Sequence, residues 1–536
     1  MKRYSALFLI VVSVLLSCAK EPEGGRTGQG TETKPSTGTE VKPEEKPEVV
    51  KDVLEISQTA FESECYGKWD ASFTVTSSAA PKVKSNVNWC TFKVGAYGKD
   101  STTEVKVYIG ANRTDKSREG ALTVSCGNES LKIALSQKPY SVRTVDVEAV
   151  TPQMVFDAFA MGWNMGNQMD AFSNDVASET AWGNPKCTQQ TMDRVKKAGF
   201  SSVRIPVTWM GHIGEGGAYK IEDKWLDRVA EIVDCARKAG LKVIINTHHD
   251  ENNNDSAAHW LNIKSASLNA TSNERTKDEI ACVWSQIALR FKDCGEWLVF
   301  EPFNEIQDGG WGWSAEFRAN PQAQYRVLNE WNQVFVDAVR AIGGENSTRW
   351  LATVGYAQSS GNISIDGLEI PKDYTTGNRI IVGFHDYDPY DYTLKNPLVK
   401  QWGHTAEAAK RCSDTDEQNL VRTFDLFRKT YAEKGIPIYI GEMGCSMHPG
   451  DDFKYQKYYI EYFCKAAADR GIPMFLWDNG AKGTGPECHA YLNHGTGAYQ
   501  SDNARELVEL MIKAVTESSP EYTLESVWDS APSGEN

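Results

Sequence analysis

The sequence lacks an excess of positive charge, and its cysteines lack a metal-binding pattern. Its 57 Lys and Arg are outnumbered by 72 Asp and Glu, giving a formal net charge of −15 at pH 7. Because a nucleic-acid backbone is bound by clustered Lys and Arg, this balance argues against a nucleic-acid partner. None of the 12 cysteines forms a C-x-x-C pair, so neither a zinc site nor a disulfide scaffold is indicated. We expect most to be buried thiols, and one or two disulfides remain open for an exported protein.

The N-terminal apolar run, Ala6–Leu16, is too short to span a bilayer as a permanent helix. It follows Lys2 and Arg3 and fits the core of a signal peptide over residues 1–18. The residues leading to Cys18 resemble a bacterial lipobox, which implies cleavage before Cys18 and lipidation of its thiol. The acidic residues that follow resemble the surface-export signal of Bacteroidetes lipoproteins. We therefore expect a surface-exposed outer-membrane lipoprotein held by its lipid anchor alone, with plain secretion as the alternative.

Residues 19–52 are rich in Gly, Thr, Pro, Glu and Lys, and this composition predicts a disordered tether. Over residues 53–139, short runs alternate polar residues with Val, Ile and Leu, which predicts the half-buried strands of a small Ig-like β-sandwich. The runs 85–90 and 118–120, SNVNWC and REG, resemble the BACON domain. We interpret Trp89 as a core residue and the sandwich as a spacer.

Residues 150–516 repeat a pattern of strand, loop and helix. Four helices are predicted to end at glycines in left-handed C-caps, each followed by an apolar strand: Gly199, Gly240, Gly435 and Gly471. The eight predicted strands are Phe159–Trp163, Ser202–Pro206, Lys242–Asn246, Leu298–Phe300, Trp350–Val354, Ile380–Phe384, Ile436–Ile440 and Ile472–Leu476. Eight such units predict an α/β fold, a (β/α)8 TIM barrel, with residues 517–536 as a C-terminal tail. The alternative, a doubly wound open sheet, has no glycine-rich phosphate loop after its first strand.

Polar side chains are concentrated where the predicted strands end, which is where a barrel places its functional residues. The residues at these exits are Arg204, His248, His249, Asn304, Glu305, His385, Tyr387, Glu442, Trp477 and Asn479. A single Glu or His at a strand end has an ordinary structural explanation. Convergence from six strands on one face favours a functional site instead.

Two glutamates at strand exits suit the cleavage of a glycosidic bond. That reaction needs a proton donor for the leaving oxygen and a second carboxylate for the anomeric carbon. Asn304 is suited to bind the sugar 2-hydroxyl, and an Arg near the nucleophile would keep it ionised. Trp260, Trp311, Trp313 and Trp477 could stack on the apolar faces of pyranose rings.

These motifs together resemble glycoside hydrolase family 5. The matching segments are 162–167, 179–185, 203–207, 246–249, 303–305, 385–389, 440–442 and 476–478. The resemblance implies a retaining mechanism with Glu305 as acid/base and Glu442 as nucleophile. It also implies a supporting site of Arg204, His248, Asn304, His385, Tyr387 and Trp477. The first two motifs are most similar to the subfamily 4 endo-β-1,4-glucanases that include xyloglucanases, although Gln168 and Met169 depart from that pattern.

The leading hypothesis is a monomeric endo-β-1,4-glucanase that needs no cofactor and hydrolyses a plant cell-wall β-glucan. Xyloglucan is the leading candidate for this substrate. A mannanase or xylanase of the same family and a non-catalytic glycan-binding lipoprotein are the alternatives. The cluster His248-His249-Asp250-Glu251 could suggest a metal site. We expect no metal there, because adjacent residues of a strand point to opposite faces.

Overall fold

The computed structural model describes residues 52–251, 258–395 and 398–532. The predicted signal peptide, Cys18 and the tether up to Lys51 lie outside the described residues. From Asp52 onward the chain forms one compact unit.

Alternation of polar and apolar residues folds the N-terminal part of this unit into two facing four-stranded sheets, as predicted. One sheet has the strand order β1-β3-β6-β5 and the other β2-β8-β7-β4. Inward-facing residues such as Phe73, Val105 and Val124 fill the space between them. The strands are β1 (Leu54–Ile56), β2 (Ala60–Ser63), β3 (Lys68–Ser77), β4 (Lys82–Ser85), β5 (Cys90–Val94), β6 (Thr102–Ile109), β7 (Arg118–Cys126) and β8 (Glu129–Gln137).

The predicted barrel is confirmed: eight parallel strands close in the order β12-β13-β14-β15-β16-β17-β18-β9. A two-stranded hairpin, β10 (Phe172–Ser173) and β11 (Val176–Ala177), lies outside it. The barrel strands are β9 (Met161–Met165), β12 (Ser202–Ile205), β13 (Lys242–Ile245), β14 (Leu298–Phe300), β15 (Leu351–Val354), β16 (Ile380–Asp386), β17 (Ile438–Met443) and β18 (Met474–Asp478).

Helices connect the barrel strands, and the four predicted glycine C-caps all have positive φ, between 67° and 107°. The described helices are α1 (Pro152–Phe159), α2 (Gln189–Lys197), α3 (Asp223–Lys238), α4 (Ile263–Leu268), α5 (Ala270–Arg290), α6 (Ala315–Ala319), α7 (Pro321–Ile342), α8 (Asn362–Ile365), α9 (Tyr390–Thr393), α10 (Asp416–Thr430), α11 (Phe453–Ala468), α12 (Asp502–Thr516) and α13 (Leu524–Asp529). Within the described ranges, none is long and apolar enough to cross a bilayer.

Helix α1 closes the bottom of the barrel and shifts the start of the first strand. Thr151 caps the helix by accepting a hydrogen bond from the backbone N–H of Met154. At its other end, the ring of Phe159 packs edge-on against Trp350, Tyr439 and Phe475 at centroid distances of 6.2, 6.0 and 5.5 Å. Phe159 therefore belongs to the helix, and the strand predicted to begin there begins at Met161.

Strands β17 and β18 also begin two residues later than predicted and extend further, to Met443 and Asp478. Glu442 and Trp477 consequently lie within strands rather than just beyond them. Each of these residues has strand residues before and after it, and the hydrogen bonds between neighbouring barrel strands restrict where its side chain can lie. Glu442 and Trp477 are therefore held on rigid strands.

The sandwich is packed against the wall of the barrel, whereas the sequence suggested only a spacer. The indole N–H of Trp69 donates to the carbonyl oxygen of Ala218 at 2.8 Å. Arg113 forms ion pairs with Glu274 and Asp278 of α5, each at 2.8 Å. Direct packing, in addition to the covalent connection, thus holds the two parts together.

The cysteines behave as expected from their spacing. The eleven that the structure describes are free, and most of them are buried. Cys90 belongs to the core of the sandwich, and Cys187, Cys445 and Cys464 belong to the core of the barrel, where they act as small apolar residues.

Candidate active site

Arg204 of β12 is the centre of the polar network at the barrel mouth. Its side chain has no exposed surface, and it donates to Glu442 at 2.7 Å, to Asn304 at 2.9 Å and to Asn164 at 3.0 Å. Burial would lower its pKa, but the carboxylates of Glu301 and Glu442 raise it, so the guanidinium remains charged. One buried cation thereby orients residues from three strand ends.

Glu301, directly after β14, is the second partner of Arg204 and is itself fully buried. Its carboxylate accepts from Arg204 at 2.6 Å, from the Tyr439 hydroxyl at 2.5 Å and from the Asn246 amide at 2.9 Å. Burial would raise the pKa of Glu301, but the charge and hydrogen bonds of Arg204 hold it below its ordinary value. Glu301 therefore supplies the negative charge that makes a buried Arg204 tolerable.

Sequence reasoning did not identify Glu301, Asn246, Tyr439 or Asn164. A signal for Glu301 was present, since an acidic residue directly follows the apolar strand Leu298–Phe300. A charged residue next to an apolar strand needs a buried partner of opposite charge. Arg204, the arginine identified on a predicted strand, was therefore the natural candidate partner of Glu301.

Glu442 of β17 receives donors on both carboxylate oxygens. Arg204 contacts one oxygen at 2.7 Å, and the Tyr387 hydroxyl donates to the other at 2.9 Å. Burial raises the pKa of Glu442 above its ordinary value, although the charges of His385 and Arg204 act in the opposite direction. Both donors favour the ionised carboxylate, because a protonated oxygen accepts hydrogen bonds less well.

Glu305, which follows Asn304 after β14, is in a different environment. Its side chain is 22% exposed, against 7% for Glu442. One of its oxygens lies 2.7 Å from Nδ1 of His385. Burial and the negative charge of Glu251 raise the pKa of Glu305 to about 7. Glu305 is therefore suited to carry a proton near neutral pH.

The two glutamates face each other across a short gap. A carboxylate oxygen of Glu305 and one of Glu442 lie within 4.8 Å of each other and of a ring nitrogen of His385. This limit applies to one oxygen of each residue, and it places the two carboxyl groups close together at the mouth.

Aromatic rings form one side of the mouth. The His248 ring lies parallel to Trp477, with centroids 5.8 Å apart and planes 8° from parallel. Burial and neighbouring positive charges hold the pKa of His248 well below its ordinary value, so this ring is neutral. Trp182, 42% exposed, packs against His249 at 5.4 Å and was not predicted as a site residue.

Two predicted substrate contacts lie in positions that do not favour that role. Trp260 is only 9% exposed, and its indole N–H donates to the buried carboxylate of Asp250 at 2.9 Å. The side-chain amide of Asn479 bonds to the backbone of its own loop, at Ala481, Glu487 and His489. Both residues therefore hold loops in place. Trp311 and Trp313 are, in contrast, 50% and 79% exposed.

The geometric argument against a metal at His248 and His249 is wrong. Both residues follow the end of β13, so strand alternation does not separate them, and their ring centroids lie 4.5 Å apart. Donor atoms of Asp170, His248 and His249 lie within 4.8 Å of one another. Asp170 already accepts backbone N–H bonds from Asn167 and Gln168. The absence of a catalytic metal stays a prediction.

A closed (β/α)8 barrel with two glutamates facing each other at its mouth defines the class of barrel glycosidases. Residues 166–483 match the model of cellulase, glycosyl hydrolase family 5. The chain belongs to glycosyl hydrolase family 5. Residues 75–138 match the BACON model, which is described as an N-terminal binding domain.

Several relatives of known activity are similar to this chain. Endoglucanase A of Paenibacillus barcinonensis is 33% identical over an alignment of 357 residues, and the alignment covers 63% of this chain and 85% of the relative. A broad-specificity family 5 subfamily 4 endoglucanase from Bacteroides salanitronis is 46% identical with a TM-score of 0.66, covering 70% of this chain and 98% of its own. A family 5 xyloglucanase from Bacteroides ovatus, solved with a XXXG heptasaccharide, is 26% identical with a TM-score of 0.59, covering 86% and 100%.

We expect Tyr387→Phe to lower kcat/KM on a soluble β-glucan by roughly 10- to 100-fold, because the variant removes one hydrogen bond to a charged carboxylate. Tyr522→Phe is a matched control, since its hydroxyl donates to Glu461 at 2.8 Å far from the mouth. Steady-state kinetics of both variants, with circular dichroism as a check on folding, would measure the effect. Equal rates in the two variants would contradict a role for the Tyr387 hydroxyl.

Proposed function

We propose that this protein is a retaining endo-β-1,4-glucanase. The observation that carries the proposal is the approach of Glu305 and Glu442 within 4.8 Å, in two unlike environments. Retaining enzymes use carboxyl groups about 5–5.5 Å apart, one as acid and one as nucleophile. The donors on Glu442 favour its ionised form, and the pKa of about 7 at Glu305 favours a proton there.

The reaction would proceed in two displacements. In the first, Glu442 attacks the anomeric carbon, the glycosidic C–O bond breaks, and Glu305 transfers its proton to the leaving oxygen. In the second, water attacks the glycosyl ester while Glu305 accepts a proton from it, which restores both carboxyl groups. Arg204 fixes the amide of Asn304, which is suited to hold the sugar 2-hydroxyl.

The change of role at Glu305 follows from electrostatics. The charge of Glu305 raises the pKa of Glu442, and an interaction between two charges acts on both partners. Conversion of Glu442 into a neutral ester therefore lowers the proton affinity of Glu305. The acid of the first step becomes a competent base for the second. We expect kcat/KM to fall as the pH rises through about 7, as Glu305 loses its proton.

Glu305→Gln and Glu442→Gln should each reduce hydrolysis of unactivated glucan to below a few percent of the wild-type rate. The first variant loses general acid catalysis, which contributes about 100- to 10,000-fold, and the second loses the nucleophile of the first displacement. Glu417→Gln is the control, since Glu417 is a fully buried glutamate bonded to His404 and Tyr458 away from the mouth. Reducing-sugar assays measure the rates. Substantial activity in either mouth variant would refute the role given to that residue.

For the substrate, we propose xyloglucan, with mixed-linkage glucan and cellulose-type chains as further candidates. Support comes from the similarity to a xyloglucanase of Bacteroides ovatus and to a broad-specificity endoglucanase. The exposed Trp311 and Trp313 suit a groove that accepts the middle of a long chain. The alternatives, a mannanase or a xylanase, are outcomes of the same assay. A non-catalytic glycan-binding role would require the loss of one carboxylate, and both are present.

A polysaccharide panel with product analysis tests the substrate, the endo mode and the stereochemistry. We expect rapid loss of viscosity with long oligomers, and initial products of retained anomeric configuration by NMR. Trp311→Ala and Trp313→Ala should each weaken binding of long oligosaccharides by about 3- to 10-fold, whereas Leu268→Ala, another exposed apolar residue, should not. Release of only glucose or cellobiose, inverted products, or unchanged affinity in both Trp variants would each refute the corresponding part.

We further propose that the protein acts as a monomer on the outer surface of the outer membrane, anchored through Cys18, and supplies oligosaccharides for import. The lipobox-like sequence before Cys18 supports this location. In the native host, Cys18→Ser should move the enzyme from the membrane fraction to the soluble fraction without changing kcat/KM. Protease treatment of intact cells tests surface exposure. Membrane retention of Cys18→Ser would refute the lipid anchor.

A further inference from the structure

Three consecutive residues after β15 hold the exit of β14. They are Tyr356, Ala357 and Gln358, which form a short 3-10 turn that we name the β15 clamp. Ala357 and Gln358 have φ values of 56° and 45°, in the left-handed region that residues other than glycine rarely adopt. Such conformations persist where the surrounding contacts determine the backbone strongly.

Each member of the β15 clamp holds a different residue of the β14 exit. The Tyr356 hydroxyl accepts from the backbone N–H of Asp308 at 3.1 Å. The backbone N–H of Ala357 donates to the carbonyl oxygen of Ile306 at 2.9 Å. The side-chain Oε1 of Gln358 accepts from the backbone N–H of Glu305 at 2.8 Å.

Glu305 is itself in the left-handed region, with φ of 45°. It follows Asn304 directly, and the two side chains serve different partners. Asn304 accepts from Arg204 at 2.9 Å, while Glu305 meets His385 Nδ1 at 2.7 Å. The left-handed backbone at Glu305 turns its side chain away from that of Asn304. The hydrogen bond to Gln358 holds the Glu305 N–H at this turn.

The side chain of Gln358 is fully buried, and its orientation is determined by chemistry. A backbone N–H can meet only the oxygen of the amide, so Oε1 faces Glu305. The amide nitrogen, Nε2, has no hydrogen-bond partner among the residues that the structure describes. The contact with Glu305 therefore uses only the acceptor end of the Gln358 amide.

We propose that Gln358 is a positioning residue for Glu305: it holds the strained backbone that directs the Glu305 carboxyl toward His385 and Glu442. The proposal rests on the proposed function, because it presupposes that Glu305 is the acid. Proton transfer to the leaving oxygen requires a well-fixed carboxyl, and small misplacements of a reacting group are costly. Loss of the contact should therefore impair the acid step selectively.

The test varies the leaving group. Gln358→Met is nearly isosteric and removes the acceptor. We expect it to lower kcat/KM for a phenyl β-cellotrioside, whose poor leaving group needs protonation, by about 10- to 100-fold. The dinitrophenyl glycoside leaves without a proton, so its kcat/KM should change less than about threefold. Gln358→Glu retains an acceptor oxygen at the same position and should restore most of the loss.

Gln286→Met is the matched control, because Gln286 is a buried glutamine whose Oε1 accepts from the backbone N–H of Ile221 in the barrel wall. It should lose stability without leaving-group dependence. If Gln358→Met does not fold, as judged by circular dichroism, Gln358→Asn replaces it, since the shorter side chain also withdraws the acceptor.

Two results would overturn the proposal: wild-type rates on both glycosides, or an equal loss on both. Glu305→Gln, measured in the same series, separates this proposal from the assignment of the acid. If Glu305→Gln lacks leaving-group dependence, the acid assignment fails and the positioning proposal with it. If Glu305→Gln shows that dependence and Gln358→Met does not, only the positioning proposal fails.

Discussion

The ion pair between Arg204 and Glu301 is the interaction on which the rest of the site depends. Both side chains are fully buried, and a buried charge is tolerated only with a partner and a full set of hydrogen bonds. Glu301 occupies one side of the guanidinium, so the remaining donors point to Glu442, Asn304 and Asn164. The pairing of these two buried charges thereby fixes the positions of residues from four strands. Removal of Arg204 would leave the buried Glu301 without its charged partner, and removal of Glu301 would leave Arg204 with Glu442 as its remaining carboxylate partner. Either change would disturb the whole mouth.

The two facing glutamates share a chemical type but differ in support. Glu442 lies within strand β17 and receives a charged donor and a hydroxyl, which keep it fixed and favour its ionised form. Glu305 lies beyond the end of β14 on strained backbone, and its pKa is raised to about 7. Unlike surroundings of this kind allow one carboxyl group to carry the proton while charged and hydroxyl donors favour the ionised form of the other. Rigid strand backbone fixes Glu442, whereas contacts from the neighbouring exit of β15 fix Glu305.

Much of the fold and of the mouth could be predicted from the sequence, because periodicity and strand-exit residues are local signals. The closed barrel, the sandwich, the glycine C-caps and the positions of Arg204, Glu305 and Glu442 followed from such signals. Long-range contacts could not be predicted. Gln358 contacts Glu305 across 53 positions of sequence, and Glu301 contacts Tyr439 across 138.

The solvent exposure of individual side chains could not be predicted either. Trp260 and Trp313 look alike in sequence, yet loop packing buries Trp260 and leaves Trp313 exposed. Phe159, predicted to begin the first strand, lies in helix α1 instead, because its ring packs against aromatic rings from distant strands, and this contact could not be predicted from the sequence.

The packing of the sandwich on the barrel bears on how the enzyme can be dissected. Cys282 of α5 accepts a hydrogen bond from the backbone N–H of Ala111, and Trp69 reaches Ala218 on the barrel wall. The Tyr140 hydroxyl donates to the Tyr374 hydroxyl at 3.0 Å, and the Tyr374 hydroxyl donates to Asp337 at 2.8 Å. A shortened enzyme beginning at the barrel would lack Trp69, Ala111 and Tyr140, and would expose the Cys282 thiol, the Ala218 carbonyl and the Tyr374 hydroxyl to water. The sandwich therefore acts as a cover for one flank of the barrel, and the two folded parts are best regarded as a single unit for expression, crystallisation and engineering.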